Sequence, residues 1–355
     1  TTATPAGGGE YVLDGAKWFC SAPMSDAFLV LAQAPGGLSC FLVRRGDGFR
    51  IQRLKDKLGD RSNASAEIEL AGARGMLVGE EGRGVRAILE AVVHTRLDCV
   101  LGTAAAMRQA VEQATHHAAH RTTFGALLAE QPLMQSVLAD LCLESEAATV
   151  TALRLARAYD RRGADAREAA FARIATAVAK YWICKRGPGH AAEALECLGG
   201  NGYVEESGLP RVYRQQPLQS IWEGSGNVVC LDVLRALARE PESLAAYHED
   251  IVAPALHAML DCDVPLVAHI EGACIGGGLE IAACCDLRLC EPSSRFGGPI
   301  ARLGFPMAPA EVEIVSHILG QTLLRELLIE ARLLGAAEAH ERGIVTRVIE
   351  ADHLE

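Results

Sequence analysis

The feature that most constrains the fold is a change of patterning near Gly82. Before it the chain consists of short apolar runs, Ala27-Phe28-Leu29-Val30-Leu31-Ala32, Ser39-Cys40-Phe41-Leu42-Val43 and Ala66-Glu67-Ile68-Glu69-Leu70, parted by Gly-rich turns such as Ala34-Pro35-Gly36-Gly37. Runs of this length bounded by Gly and Pro read as strands, so residues 10–79 predict a small β domain. After it come long stretches rich in Ala, Leu, Arg and Glu over residues 95–120, 132–162, 164–186 and 190–198, with the period of helices. A second change follows Arg239-Glu240-Pro241-Glu242-Ser243. A strand-like Pro265-Leu266-Val267-Ala268-His269-Ile270, a Gly triplet, a helix and the strand Leu287-Arg288-Leu289-Cys290 make an α/β pattern. The expected fold is multidomain: a β domain over 1–79, an α-helical bundle over 80–245 and an α/β segment over 248–355.

Composition narrows the function. The 355 residues exceed twice a usual domain length, and half of them are hydrophobic, which excludes disorder and is enough for several cores. The net charge of -11 gives no general attraction to a polyanion, so nucleic acid is a disfavoured partner, and the basic run Arg157 to Arg162 reads as a solvated helix face. The 12 cysteines are scattered through apolar contexts without the paired spacing of a metal site or a disulfide framework. They read as buried reduced thiols and point to the cytoplasm, with no metal. No signal-peptide pattern opens the chain, and no window reaches the roughly 18 apolar residues of a membrane span.

Four segments carry candidate chemistry. In Lys17-Trp18-Phe19-Cys20-Ser21 the rings of Trp18 and Phe19 suit a planar ligand whose polar edge Cys20, Ser21 and the backbone could meet; they equally suit the end of a small β core. Arg121-Thr122-Thr123-Phe124-Gly125 sets an Arg fork, a turn and an aromatic at a helix end, fit for a pyrophosphate with an adjacent ring or for a solvated helix terminus. Gly199 and Gly200, in Leu198-Gly199-Gly200-Asn201-Gly202-Tyr203, allow close approach to a cofactor or cap a helix. Ile221-Trp222-Glu223-Gly224-Ser225-Gly226-Asn227 places a carboxylate between an aromatic and a flexible turn just before a helix, either as a reactive group or as a cap.

Taken in order, these segments resemble the acyl-CoA dehydrogenase superfamily across residues 10 to 245. The wording of residues 17–23, Leu54 to Ser65, Ile183 to Gly187 and Trp222 to Asn227 is similar to its alkylation-response branch. The resemblance implies FAD, with Trp18, Phe19, Cys20 and Ser21 on the flavin face, and Gly199, Gly200, Trp222, Gly224, Ser225 and Asn227 around the cofactor. It implies that Arg121 and Phe124 reach FAD across a subunit interface, hence a homo-oligomer. Glu223 is then the base that removes the α-proton of an acyl-CoA thioester while the β-hydride passes to flavin, a division in which the cofactor supplies redox chemistry that no side chain has. Cys20 stands where many family members have Thr, and Thr95-Arg96 stands where some branches carry Glu-Arg, which leaves Glu223 without a rival on the family pattern. Thr1 falls where the family's flavin loop ends, so the family's amino-terminal helical domain is expected to be missing. The electron acceptor is unspecified.

Glu271-Gly272-Ala273-Cys274-Ile275-Gly276-Gly277-Gly278-Leu279-Glu280 follows a strand and opens a helix, the setting in which Gly amides form an oxyanion hole. With Cys285-Asp286-Leu287-Arg288, Arg295-Phe296-Gly297 and Leu303-Gly304-Phe305 it resembles the crotonase (enoyl-CoA hydratase/isomerase) family over residues 248 to 355. That implies a carbonyl-polarising amide at Gly277 and an acid/base carboxylate at Glu280. The family's second hydratase carboxylate falls at Ile300, and its upstream half is expected to be absent. The leading expectation is an FAD-dependent acyl-CoA dehydrogenase-like oxidoreductase. The alternatives are a hydratase or isomerase acting through Gly277 and Glu280, and a non-catalytic relative that binds flavin or nucleic acid.

Overall fold

A computed structural model describes residues 1–304 and 307–350. Phe305, quoted in the crotonase-like pattern, and residues 351–355 lie outside the described residues. The chain divides into two compact units that part between Ala236 and Leu237.

The first unit opens with β1 (Thr2–Gly7), β2 (Glu10–Ser21), β3 (Ala27–Ala34), β4 (Gly37–Arg44), β5 (Phe49–Leu54) and β6 (Ser65–Val78). Their order is β2-β1-β3-β4-β6-β5, and β2 also pairs with β6, so five strands close on themselves while β5 flanks β6. Inward positions alternate as a pleat requires: Val30 and Ala32, Phe41 and Val43, Ile68 and Leu70 all lie in one core. The β2–β6 register slips between Lys17 and Cys20. A bulge of this kind re-aims side chains, and here it leaves Trp18 and Phe19, neighbours in sequence, both exposed.

The helices that follow are α1 (Gly84–His120), α2 (Pro132–Arg161), α3 (Ala166–Glu196), α4 (Gly200–Tyr203), α5 (Leu209–Ile221) and α6 (Gly226–Arg239); the hairpin β7 (Thr122–Thr123) and β8 (Ala126–Leu127) links α1 to α2. Along α1 the buried residues Leu97, Val100, Ala104, Met107, Val111, Ala114 and Ala118 recur at alternating spacings of three and four, a continuous seam for the bundle. Helix α3 starts on Asp165, whose carboxylate accepts from the amides of Arg167 and Glu168. It then runs unbroken through Gly187-Pro188-Gly189, where the sequence reading ends one helix and starts another. Packing overrides the proline: a Cβ at Gly187 would strike Thr103 Cγ2 and the Gln216 side chain, so the backbone is pressed against α1 and α5. Helices α1 and α3 run in the same direction, since Thr103 meets Cys184 and Ala110 shares a core with Ala194.

The second unit takes the last residues of α6 and continues with α7 (Pro241–Tyr247), which passes through one π-type turn at His248–Val252 into α8 (Ala253–Leu260). Then come β9 (Val267–Ile270), β10 (Ala273–Ile275), α9 (Gly277–Ala283), β11 (Leu287–Cys290), β12 (Arg295–Gly297), α10 (Ile300–Leu303), α11 (Pro309–Leu319), α12 (Gln321–Glu330), β13 (Leu334–Gly335), α13 (Ala336–Glu341) and β14 (Arg347–Val348). Strands β9, β11 and β14 are parallel; β10 pairs parallel with β12, which pairs antiparallel with β13. One core containing Ile270, Cys290, Phe296, Leu327 and Ile344 joins both sheets to their helices.

Candidate active site

In the first unit a cavity of about 280 Å³ lies between barrel and bundle. Its wall takes Ser21 from the end of β2, Asn63 from the β5–β6 loop, Thr95, Asp98 and Cys99 from α1, Gln219 from α5, and Trp222 and Glu223 from the loop after α5. Lys57 organises the barrel side: its Nζ donates to Asp60 Oδ2 at 3.1 Å, to the Asn63 carbonyl at 2.6 Å and to Ser65 Oγ at 3.1 Å.

The Glu223 loop is held by two buried cations. Arg96, 8% exposed, donates from Nε to the Glu223 carbonyl at 3.1 Å and from Nη1 to Asp232 Oδ2 at 2.6 Å. Lys180, 1% exposed, donates to the carbonyls of Ser220 at 3.2 Å and Gly224 at 2.7 Å. Burial lowers the Lys180 ammonium pKa from its ordinary value. Burial alone would raise Asp232, but Arg96 and Arg173 outweigh it and hold the carboxyl below the usual range. Burial pushes the Cys99 thiol up to about 12, so it lines the cavity as a neutral group. Within this clamp Glu223 has φ +56°, the left-handed region that L residues enter at about 1–2 kcal/mol.

Of the residues expected at a cofactor, Ser21, Trp222 and Glu223 meet at this cavity, with Gly224 as a tether point. Cys20 is buried and packs with the barrel core, unlike Trp18 and Phe19, and it also lines an open cavity beside Phe19 and Ser21. Arg121 and Phe124 stand elsewhere. Arg121 closes α1, 23 residues beyond Asp98, which is roughly 35 Å along a helix. Phe124 is fully exposed, at φ +52°, in the hairpin beyond. Gly199, at φ +57°, and Gly200 lie past the end of α3, which runs parallel to α1, so they belong to the same far end of the bundle. Ser225 and Asn227 flank the start of α6, both exposed. The sequence reading missed Arg96, Lys180, Asp98, Asn63 and Gln219. A lone Lys inside the apolar run Ala177-Val178-Ala179-Lys180 was the signal for one of them.

In the second unit Gly276, at φ +58°, turns β10 into α9, and no atom lies within 4 Å of where a side chain on Gly277 would start. Glu280 is 9% exposed. Burial and the neighbouring Glu311 push its carboxyl up to about 7, against a smaller lowering by His248. Ile300 begins α10 with no carboxylate to offer.

Residues 1–73 match the acyl-CoA dehydrogenase middle domain and residues 82–238 the acyl-CoA dehydrogenase C-terminal domain. Through its first 238 residues the chain belongs to the acyl-CoA dehydrogenase family. Residues 221–355 match enoyl-CoA hydratase/isomerase. The acyl-CoA dehydrogenase region is 56% identical over 238 residues to the "Putative acyl-CoA dehydrogenase AidB" of Escherichia coli (strain K12), covering 65% of this chain and 44% of that protein. It is 32% identical over 256 residues to acyl-CoA dehydrogenase family member 11 of Caenorhabditis elegans, covering 67% of this chain and 42% of that protein. The crystal structure of Caenorhabditis elegans ACDH-11 in complex with C11-CoA superposes with a TM-score of 0.68 at 30% identity, over 73% of this chain and 46% of that one. The chain thus spans less than half the length of these relatives. The cavity described above lies wholly within the acyl-CoA dehydrogenase region.

Proposed function

We propose that residues 1–238 bind FAD and an acyl-CoA thioester, and that Glu223 is the base that takes the α-proton. The observation that carries this reading is the strained backbone of Glu223, held by Arg96 and Lys180 at the wall of a cavity. A loop glutamate of purely structural use would gain by relaxing or by becoming Gly; here the strain is retained while three successive parts of the loop are tethered. The nematode relative's complex with C11-CoA supports an acyl-CoA as the ligand class.

The residues present suit a flavin dinucleotide in two sets. Ser21 offers a hydroxyl at the Glu223 cavity and Trp18 and Phe19 offer exposed rings on the same strand, the Trp18 ring carrying the Lys55 ammonium at 3.2 Å, while Arg121, Phe124, Gly199 and Gly200 offer a cation, a ring and open backbone at the far end of the bundle. Because roughly 35 Å of helix separates the two ends in one chain, the second set serves the first only from another copy, so the proposal includes a homo-oligomer. Bound flavin supplies the two-electron acceptor that no side chain provides. The chain's own part is to orient and to move a proton. Gln219 and Ser21 supply donors on the wall for a thioester carbonyl, and the Glu223 carboxylate accepts the proton from the carbon beside it. Asp98 places a second carboxylate on the same wall, which the family pattern did not anticipate.

The test is to express the chain with FAD, remove free cofactor, record the visible spectrum and add acyl-CoA. Bound flavin that bleaches with acyl-CoA, and a Glu223→Gln variant that keeps the flavin but no longer bleaches, are the expected results. Folded protein without flavin, or a variant that bleaches at the normal rate, would overturn the reading.

A further inference from the structure

The enoyl-CoA hydratase/isomerase segment holds a cluster that the dehydrogenase chemistry does not use. Three helical pieces meet in one small core formed by Val252 and Leu256, Cys284 at the end of α9, and Ile314 of α11. His248, Glu280 and Glu311 each stand one turn before a member of that core, at spacings of four, four and three residues. Such spacings put a side chain on the same helix face as its partner, so all three reach one corner.

Their bonding is uneven. Glu311, 1% exposed, is hydrogen-bonded through Oε1 to Nδ1 of His248. The His248 side chain keeps 20% of its surface exposed, and its Nε2 makes no hydrogen bond among the described residues. Glu280, nine-tenths buried, has no hydrogen-bond partner among them either. A structural ion pair would account for Glu311 and His248 but leaves Glu280 as a bare buried carboxylate next to another, an arrangement that stability alone disfavours. A buried carboxylate on one imidazole nitrogen with the other nitrogen open is the arrangement that orients histidine for proton transfer. The π-type turn begins at His248, and such turns recur at functional positions.

We propose that His248 is a second proton-transfer residue of this segment, positioned by Glu311 and working opposite Glu280 on an enoyl thioester, in place of the carboxylate that Ile300 does not supply. In the hydration direction the Glu280 carboxylate takes a proton from water as the water oxygen bonds to Cβ. The electron pair of the carbon–carbon double bond moves to Cα, which takes the Nε2 proton of His248. Glu280 ends protonated and His248 neutral; release of one proton and uptake of another from solvent restore both. One water is consumed and nothing is oxidised or reduced.

Glu311 and, less strongly, Glu280 raise the His248 pKa against its partial burial, the Tyr247 ring lies edge-on at 5.9 Å, and Cys284 lies beside Glu280. A base, Glu280, raised to about 7, coupled to an acid, His248, raised from its ordinary value, predicts a bell-shaped rate profile. The assay uses the full chain and crotonyl-CoA, followed by loss of the conjugated thioester absorbance. His248→Gln is expected to lower kcat roughly 10²–10⁴-fold with little change in KM and to remove the alkaline limb. Glu311→Gln is expected to move that limb to lower pH. A wild-type chain that does not hydrate crotonyl-CoA, or His248→Gln with normal kcat and both limbs, overturns the proposal. Replacing Glu311 can unfold the segment, so NMR titration of His248 in wild type and in Glu280→Gln gives a readout besides activity. Removal of the Glu280 charge is expected to lower the His248 midpoint; an unmoved midpoint overturns the shared centre.

Discussion

Asp232→Ala tests how the Glu223 loop is held. Arg96 is 8% exposed, and its guanidinium bonds Asp232 at 2.6 Å and the Glu223 carbonyl at 3.1 Å. Removing the carboxylate leaves a buried charge without its partner, which costs about 3–5 kcal/mol. Arg173, 3.0 Å from the other carboxylate oxygen but more exposed, adds only about 0–1 kcal/mol. The double replacement Arg96→Met with Asp232→Leu removes both charges and keeps the volume, a change that is often neutral or better. It is expected to regain most of the loss, less about 1 kcal/mol for the hydrogen bond to Glu223. The three tryptophans, Trp18, Trp182 and Trp222, all fall in the first unit, so urea unfolding followed by tryptophan fluorescence reads that unit alone. The single variant should unfold at clearly lower urea and the double near wild type, and the double should lose acyl-CoA-dependent bleaching because the Arg96 tether of the loop is gone. A double variant no more stable than the single, or full bleaching in the double, would refute the reasoning.

Glu223→Gly is expected to abolish bleaching while raising stability by about 0.5–1 kcal/mol over Glu223→Gln, because Gly accepts φ +56° without strain; the two urea midpoints decide it. Glu280 titrates at about 7 in the fold against 4.5 for an ordinary glutamate, so its ionised form is disfavoured by about 3 kcal/mol. The sign follows: the cost is absent below pH 4.5, grows between 4.5 and 7 and is complete above, so the second unit should be more stable at pH 5 than at pH 8, and Glu280→Gln should flatten that slope in calorimetry. A Cβ at Gly202 would collide with the Leu195 carbonyl, so Gly202→Ala should destabilise by about 1–3 kcal/mol through overpacking. Gly199→Ala, in open space at φ +57° and ψ −137°, should lose about 1–3 kcal/mol through backbone conformation alone, and thermal unfolding of each variant, with crystal structures showing whether neighbours shift, separates the two causes.

Much of the architecture is legible because local pattern and tertiary structure agree. The apolar runs at 27–32, 39–43 and 66–70 fall inside β3, β4 and β6, and the strand at Leu287–Cys290 has the bounds expected of it. Agreement fails where packing outvotes local preference. Pro188 between two glycines reads as a helix break, yet α3 continues because Gly187 is pressed against Gln216 and Thr103, contacts that only the fold creates. The site is legible in part for a related reason. Trp222 and Glu223 stand in a short motif whose residue types declare themselves, but Arg96 and Lys180 act on backbone carbonyls far along the chain, and a carbonyl leaves no trace in the sequence. Burial within one motif is the converse limit: of four adjacent residues read as one patch, Cys20 packs with the barrel core while the register shift leaves Trp18 and Phe19 exposed.

The distribution of strain singles out one position. Non-glycine residues enter the left-handed region at Ala22, Asp60, Phe124, Glu223 and Ala331. Glu223 lines the cavity of the first unit, Ala22 follows the lining residue Ser21 in the chain, and the Asp60 carbonyl accepts from the backbone amide of the lining residue Asn63 at 3.2 Å. At about 1–2 kcal/mol each, this is a substantial load around one small space, where turns must aim three polar groups from different elements at the same point. Glycine at 22 would relieve the strain and leave every lining side chain in place, and glycine at 60 would surrender the carboxylate that anchors Lys57 and the side-chain amide of Asn63. At 223 the residue that relieves the backbone removes the carboxylate. Among the three positions at this cavity, relief and chemistry conflict at Glu223 alone, which is what a reactive group requires and a helix cap does not.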